Sequence, residues 1–145
     1  MKNKRGVTLL ELLIVLSIMT LIVSLPLVSF GKFANTTKLN VAAKNVSAVL
    51  KLVKSYAVST SSDHSFNIDA TNLSEFWVAD AAAQVVGDKY KLPETITFAN
   101  IAPPPPITFK PLSGSSSIVE ITLRNTKGDM KKIKVSDTSG KIIIE

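Results

Sequence analysis

One carboxylate, Glu11, stands in an otherwise uncharged run of about 24 residues from Val7 to Phe30. In an apolar medium a carboxylate must either meet an opposite charge or hold a proton. An ionisable group inside a membrane-spanning helix costs about 2.5–3.5 kcal/mol on insertion scales, so such groups are usually functional or paired. Other reactive chemistry is sparse. His64 is the sole histidine and cysteine is absent, so a transition-metal site would need carboxylates or main chain, an unusual set for zinc. His64 is expected in a loop beside Asp63. The acids are dispersed, without the Asp-x-Asp spacing of a calcium loop. No nucleophile elbow, phosphate loop or dinucleotide fingerprint is present. The sequence predicts no enzyme, no catalytic residues, no cofactor and no metal.

The element that carries Glu11 starts after a short basic head, Lys2, Lys4 and Arg5, which ends at Gly6. As a helix the apolar run would be ~36 Å long, enough for a hydrocarbon core of ~30 Å. Basic residues on one flank keep that flank in the cytoplasm and send the rest outward. A cleaved secretory signal would have a shorter apolar region, roughly 7–15 residues, ending in a small-x-small site; no convincing site of that kind follows here. A plain signal anchor would leave Glu11 incidental. It lies about 6 Å of helix rise beyond Val7, near enough to the interface to escape part of its cost.

Gly6-Val7-Thr8-Leu9-Leu10-Glu11-Leu12-Leu13 resembles, residue by residue, the N-terminal motif of the type IV pilin and type II secretion pseudopilin family. That family most often has Phe where this chain has Val7. The resemblance implies that a prepilin peptidase cuts between Gly6 and Val7 and that the new Val7 terminus is N-methylated. It also implies that Glu11 pairs with the Val7 amine of a neighbouring subunit and sets the axial register of a filament. Pro26, near the far end of the run, removes a helix hydrogen bond and clashes with the preceding turn. In the family such a proline accompanies local melting of the helix on assembly; a kink without an assembly role is the other reading.

With 145 residues the chain has room for one modest domain beyond the anchor. The formal charge is +6; without Lys2, Lys4 and Arg5, 14 basic side chains face 11 acidic ones. Those charges are scattered rather than clustered, which argues against direct nucleic-acid binding. Without disulfides the domain rests on its core, and cysteine usage says nothing of the compartment.

Beyond Gly31, Leu39, Ala42 or Ala43, Val46, Val49 or Leu50, Val53 and Tyr56 or Ala57 recur at steps of three and four, one apolar stripe on a helix. The spacing predicts one helix from Val7 to about Ser59, bent near Pro26 to Gly31: leader 1–6, transmembrane part 7–31, amphipathic continuation 32–60. A β domain at 65–145 follows. Period-two alternation predicts strands over 65–69, 75–80, 95–99, 118–125, 130–135 and 141–145, with a short one at 107–109. Gly87-Asp88 predicts a loop over 81–90, and 113–117 reads as another. The four prolines 103–106 predict an extended, unpaired connection. The expected fold is α+β: a long N-terminal helix packed on an antiparallel sheet of about five to seven strands.

Phe109-Lys110-Pro111-Leu112-Ser113-Gly114 and Ser139-Gly140-Lys141-Ile142 resemble, more loosely, the end of the H-type minor pseudopilins. The missing calcium loop also favours a minor over a major subunit. The resemblance implies a structural subunit of a type II secretion pseudopilus in the bacterial inner membrane. It would cross once, with a cytoplasmic N-terminus and a periplasmic domain, and its partners would be the prepilin peptidase, other pilin-type subunits and an inner-membrane assembly platform. A minor pilin of a type IV pilus and a competence pseudopilin fit the same residues. An uncleaved, signal-anchored binding module is the reading from another class.

Overall fold

The structure is a computed structural model and describes residues 7–24, 27–112, 114–115, 117–136 and 139–145. The chain divides into two units, Met1–Ala34 and Asn35–Glu145. In the first, helix α1 spans Leu9–Ser24 and helix α2 begins at Leu27, to end at Thr60 in the second unit. Together they cover most of the helix expected from Val7 to Ser59, and residues 25 and 26 between them lie outside the described residues. Gly6 and Pro26, the expected scissile residue and helix break, lie outside the described residues. Among the described residues no helix is both long and apolar enough to cross a membrane. α1 has 16 residues, about 24 Å at 1.5 Å per residue, and α2 carries Lys38, Lys44, Lys51 and Lys54.

In the second unit the stripe on α2 is buried as the spacing requires. Leu39, Ala42, Ala43, Val46, Leu50, Val53 and Ala57 join Phe66, Phe76, Ile107, Phe109, Ile121, Leu123 and Ile133 in one apolar cluster. Lys38, Lys44 and Lys51 fall on exposed faces between the stripe positions. Ala42, Ala43 and Ala57 are fully enclosed, and their small side chains let bulky strand residues approach the helix. Phe76 is the aromatic centre. It packs 5.6 Å from Phe66 and from Tyr90, and meets Phe98 edge-on at 5.9 Å, the offset geometries aromatic quadrupoles favour.

The strands are β1 His64–Ile68, β2 Glu75–Ala79, β3 Val85–Lys91, β4 Ile96–Ala102, β5 Ile107–Lys110, β6 Gly114–Ser115, β7 Val119–Asn125, β8 Met130–Val135 and β9 Ile142–Ile144. They form two sheets rather than one, β3-β2-β1-β5-β6 and β4-β7-β8-β9. Every pairing is antiparallel. The proline segment joins β4 of one sheet to β5 of the other. It stays outside the ladders as expected, but bends at Pro103 and Pro105 instead of running straight.

Three segments correct the sequence reading. Residues 85–91, expected in a loop, form β3, with Phe76 opposite Tyr90 and Val78 opposite Val86. The register shift between those pairs takes up Gly87, whose φ of +79° is one that glycine adopts without steric cost. β6 occupies part of the expected 113–117 loop and pairs with β5. His64 is not a loop residue. It opens β1 with only 4% of its surface exposed, and its ring stacks on Tyr56 at 5.8 Å.

The Asn125–Asp129 turn between β7 and β8 shows why the C-terminal meander was legible. The Asn125 side-chain oxygen accepts from the amides of Lys127 and Asp129 at 3.0 and 2.9 Å. Its Nδ2 donates to the Asp129 carboxylate at 2.8 Å, and Gly128 takes a φ of +91°. An asparagine that imitates a backbone turn, followed by a glycine in the left-handed region, reverses a chain on local chemistry alone.

Candidate assembly segment at the N-terminus

The segment starts with a helix cap. Thr8 precedes the first residue of α1, and its Oγ1 accepts from the Glu11 amide at 3.3 Å. Its carbonyl accepts from the Leu12 amide at 3.2 Å, the first bond of the helix. Thr8-Leu9-Leu10-Glu11 has the spacing of a capping box, in which a threonine hydroxyl satisfies an amide otherwise left without a helical partner. The motif residues alone assign Thr8 no role; its three-residue spacing from Glu11 is the sequence signal for the cap. Glu11 thereby falls in the first turn, where a carboxylate interacts favourably with the positive end of the helix dipole.

Downstream, α1 is apolar on every face. Leu9, Leu12, Ile14, Leu16, Met19 and Val23 point in all directions around it, each about half exposed or more. A helix that is hydrophobic all round belongs in a protein interior or in lipid, because in water it has no face to present. Its hydroxyl groups do not spoil that character. Ser17 Oγ donates to the Leu13 carbonyl at 2.8 Å. Thr20 Oγ1 reaches the carbonyls of Leu16 and Ser17 at 2.8 and 2.9 Å. Hydroxyls turned back onto their own helix need no water, which suits an apolar surrounding.

The Glu11 carboxylate is different. Glu11 is exposed, and among the described residues none forms a hydrogen bond or ion pair with its carboxylate. Val7, the expected methylation site, lies just ahead of the cap and is 72% exposed. The structure thus brings Thr8 and Glu11 together in one turn, with Val7 beside them. Elsewhere, no three His, Cys, Asp or Glu among the described residues are grouped to hold a metal ion.

Comparisons with known proteins agree with this arrangement. Residues 1–25 match the prokaryotic N-terminal methylation motif. No curated protein matches the chain. Among solved structures, the chain is similar to the minor pseudopilin EpsH from the type 2 secretion system of Vibrio cholerae. The TM-score is 0.61 at 11% identity, covering 74% of this chain and 96% of EpsH. It is also similar to the type IV minor pilin FimU of Pseudomonas aeruginosa, at TM-score 0.62 and 18% identity, covering 78% of this chain and 92% of FimU. At such identities the structural likeness speaks for the fold. The chain thus joins a match to the prokaryotic N-terminal methylation motif at residues 1–25 to a fold similar to those of a minor pseudopilin and a minor pilin.

Proposed function

We propose that the chain is a structural subunit of a pilin-type filament, a minor pseudopilin of a type II secretion pseudopilus that helps export folded proteins. The observation that carries this reading is the first turn of α1. An exposed carboxylate with no partner among the described residues stands at the head of a helix that is apolar on every face. Removal of residues 1–6 by a prepilin peptidase would free the Val7 amine, and methylation would leave it cationic. Within a bundle of such helices, the Val7 amine of one subunit and Glu11 of the next would neutralise each other. An uncompensated charge in that setting costs several kcal/mol, so subunits in register are favoured over all others.

On this reading the apolar segment anchors the precursor once in the bacterial inner membrane, with the basic head in the cytoplasm and residues 35–145 in the periplasm. Recruitment by an inner-membrane assembly platform would precede incorporation. Pro26 would loosen the helix where subunits pack. A second reading, a minor pilin of a type IV pilus, rests on the likeness to FimU, whose TM-score of 0.62 stands beside 0.61 for EpsH.

The test is incorporation. Glu11→Ala and Glu11→Gln variants, produced beside the other filament subunits of the same bacterium, should still be processed and inserted but be lost from sheared filaments. Normal incorporation of both variants would overturn the role given to Glu11. Secretion failure without loss of surface pili in a deletion strain supports the pseudopilus; the converse supports the pilus.

A further inference from the structure

The chain holds three Asn-x-Ser/Thr triplets, starting at Asn35, Asn45 and Asn72. Such a triplet is the acceptor pattern for a sugar on the asparagine amide, and it serves only where the amide is presented at the surface. Two of the three lie inside α2, which runs from Leu27 to Thr60. Residues two apart on a helix do not face each other, so Thr37 cannot serve the Asn35 amide, nor Ser47 that of Asn45. Ser47 is also buried.

Asn72-Leu73-Ser74 is different. It lies in the connection between β1 and β2, and Asn72 and Leu73 are exposed. Ser74 Oγ donates to Asn72 Oδ1 at 2.6 Å, so the hydroxyl and the amide of the triplet already meet. The backbone is held for that contact from both sides. Asp69 Oδ1 accepts from the amides of Thr71 and Asn72 at 2.8 and 3.2 Å. The Asn72 carbonyl accepts from the amides of Ser74 and Glu75 at 2.6 and 3.1 Å, and the Ser74 carbonyl accepts from Leu92 at 2.7 Å.

The nitrogen of the Asn72 side chain is unused. Nδ2 makes no hydrogen bond to any described residue, so a group added there displaces none of these contacts. As a proton leaves an amide nitrogen, negative charge develops on the conjugated oxygen. A donor already aimed at that oxygen stabilises the charge, and Ser74 Oγ is such a donor.

We propose that Asn72 is a glycosylation site, whose Nδ2 takes a sugar from a polyprenyl-phosphate-linked donor in the inner membrane. The proposal rests on the periplasmic placement of residues 35–145 given above. Nδ2 attacks the anomeric carbon of the sugar, and a nitrogen–carbon bond forms. The bond from that carbon to the phosphate oxygen breaks, and the lipid phosphate leaves with its electron pair. One Nδ2 proton passes to a base of the transferase, and nothing is oxidised or reduced.

The full chain, extracted from membranes of its own bacterium, tests this in one digest. Trypsin releases residues 55–89 as a single peptide, because neither lysine nor arginine lies between Lys54 and Lys89. That peptide should exceed its sequence mass by whole sugar residues, with fragmentation placing them on Asn72. Ser74→Ala should lose the sugar and Ser74→Thr should keep it. Asn72→Asp keeps the acceptor for Ser74 and should also lose it. Unmodified chain from a host without such a transferase should gain the sugar from washed membranes of its own bacterium, with no nucleotide sugar added. A bare peptide from leader-cleaved, methylated chain overturns the inference and leaves the filament reading standing. A sugar on Asn72 of an uncleaved chain does the reverse, and absence of both overturns both. A sugar on another residue, one retained in Ser74→Ala, or transfer only with added nucleotide sugar also overturns the inference.

Discussion

The ammonium of Lys54 lies 2.6 Å from the carbonyl oxygen of Ser139 and 3.5 Å from that of Gly140. Residues 85 positions apart in sequence thus fasten α2 to the turn that leads into β9. Gly140 accommodates this contact. Its φ is +55°, and a Cβ there would sit 3.1 Å from Lys54 Nζ and 3.2 Å from Cδ and Cε. Lys54→Met should cost about 1–2 kcal/mol, the worth of a hydrogen bond to a charged donor. Gly140→Ala should cost a similar ~1–2 kcal/mol from the left-handed backbone alone. The double variant should lose less than the sum, because a methionine no longer held by the Ser139 carbonyl is free to move away from the added Cβ. Urea denaturation of the four proteins measures all three quantities.

Core and surface should separate widely. Phe66 is fully enclosed and Leu112 is wholly exposed. Phe66→Ala should destabilise by about 3–5 kcal/mol, a large part of the 5–15 kcal/mol typical of a domain. Leu112→Ala should stay within about 0.5 kcal/mol. Thermal unfolding followed by circular dichroism distinguishes them.

The Thr8 cap is testable without any filament. Thr8→Val removes the oxygen that accepts from Glu11, whereas Thr8→Ser keeps it. Thr8→Val should weaken the first turn of α1 by about 1 kcal/mol. Amide exchange at Glu11 in micelles should then speed up roughly fivefold, with Thr8→Ser close to the parent.

Three surface groups set the pH response. The Thr71 and Asn72 amides hold the Asp69 carboxyl below its ordinary value of 3.8. Lys132 holds Glu120 below 4.5, chiefly by a hydrogen bond. Both carboxylates have depressed values in the folded state. Their contribution is therefore present above the ordinary values and lost as pH falls through the folded ones. Lys134 is raised above 10.5 by its bond to Glu145, so its contribution is present below that value and lost as alkali takes pH through the raised one. All three groups lie at the surface and are partly open to solvent, which keeps each contribution small. Melting temperature should decline gently from about pH 5 downward, and Asp69→Asn with Glu120→Gln should flatten that decline.

What was legible followed from short-range rules. The α2 stripe, the β7–β8 hairpin and the first-turn motif each depend on residues within a few positions of one another. What was missed depended on partners far away. Gly87-Asp88 carries turn chemistry, but the neighbouring Val78 and Phe76 pull Val86 and Tyr90 into a ladder, and the glycine becomes an irregularity inside β3. β5 leaves β4 and pairs instead with β1, which splits the strands into two sheets that no local pattern announces. His64 follows the same rule: it stacks on Tyr56, eight residues earlier on the helix, a contact no local pattern announces.

The central claim is that this chain is processed and assembled as a pilin-type subunit. It is tested most directly by the intact mass of the membrane-extracted protein, made with and without a prepilin peptidase. The account predicts loss of Met1–Gly6 and gain of one methyl group on Val7, only when the peptidase is present. An N-terminus that remains intact in both cells would contradict it and leave a signal-anchored binding domain.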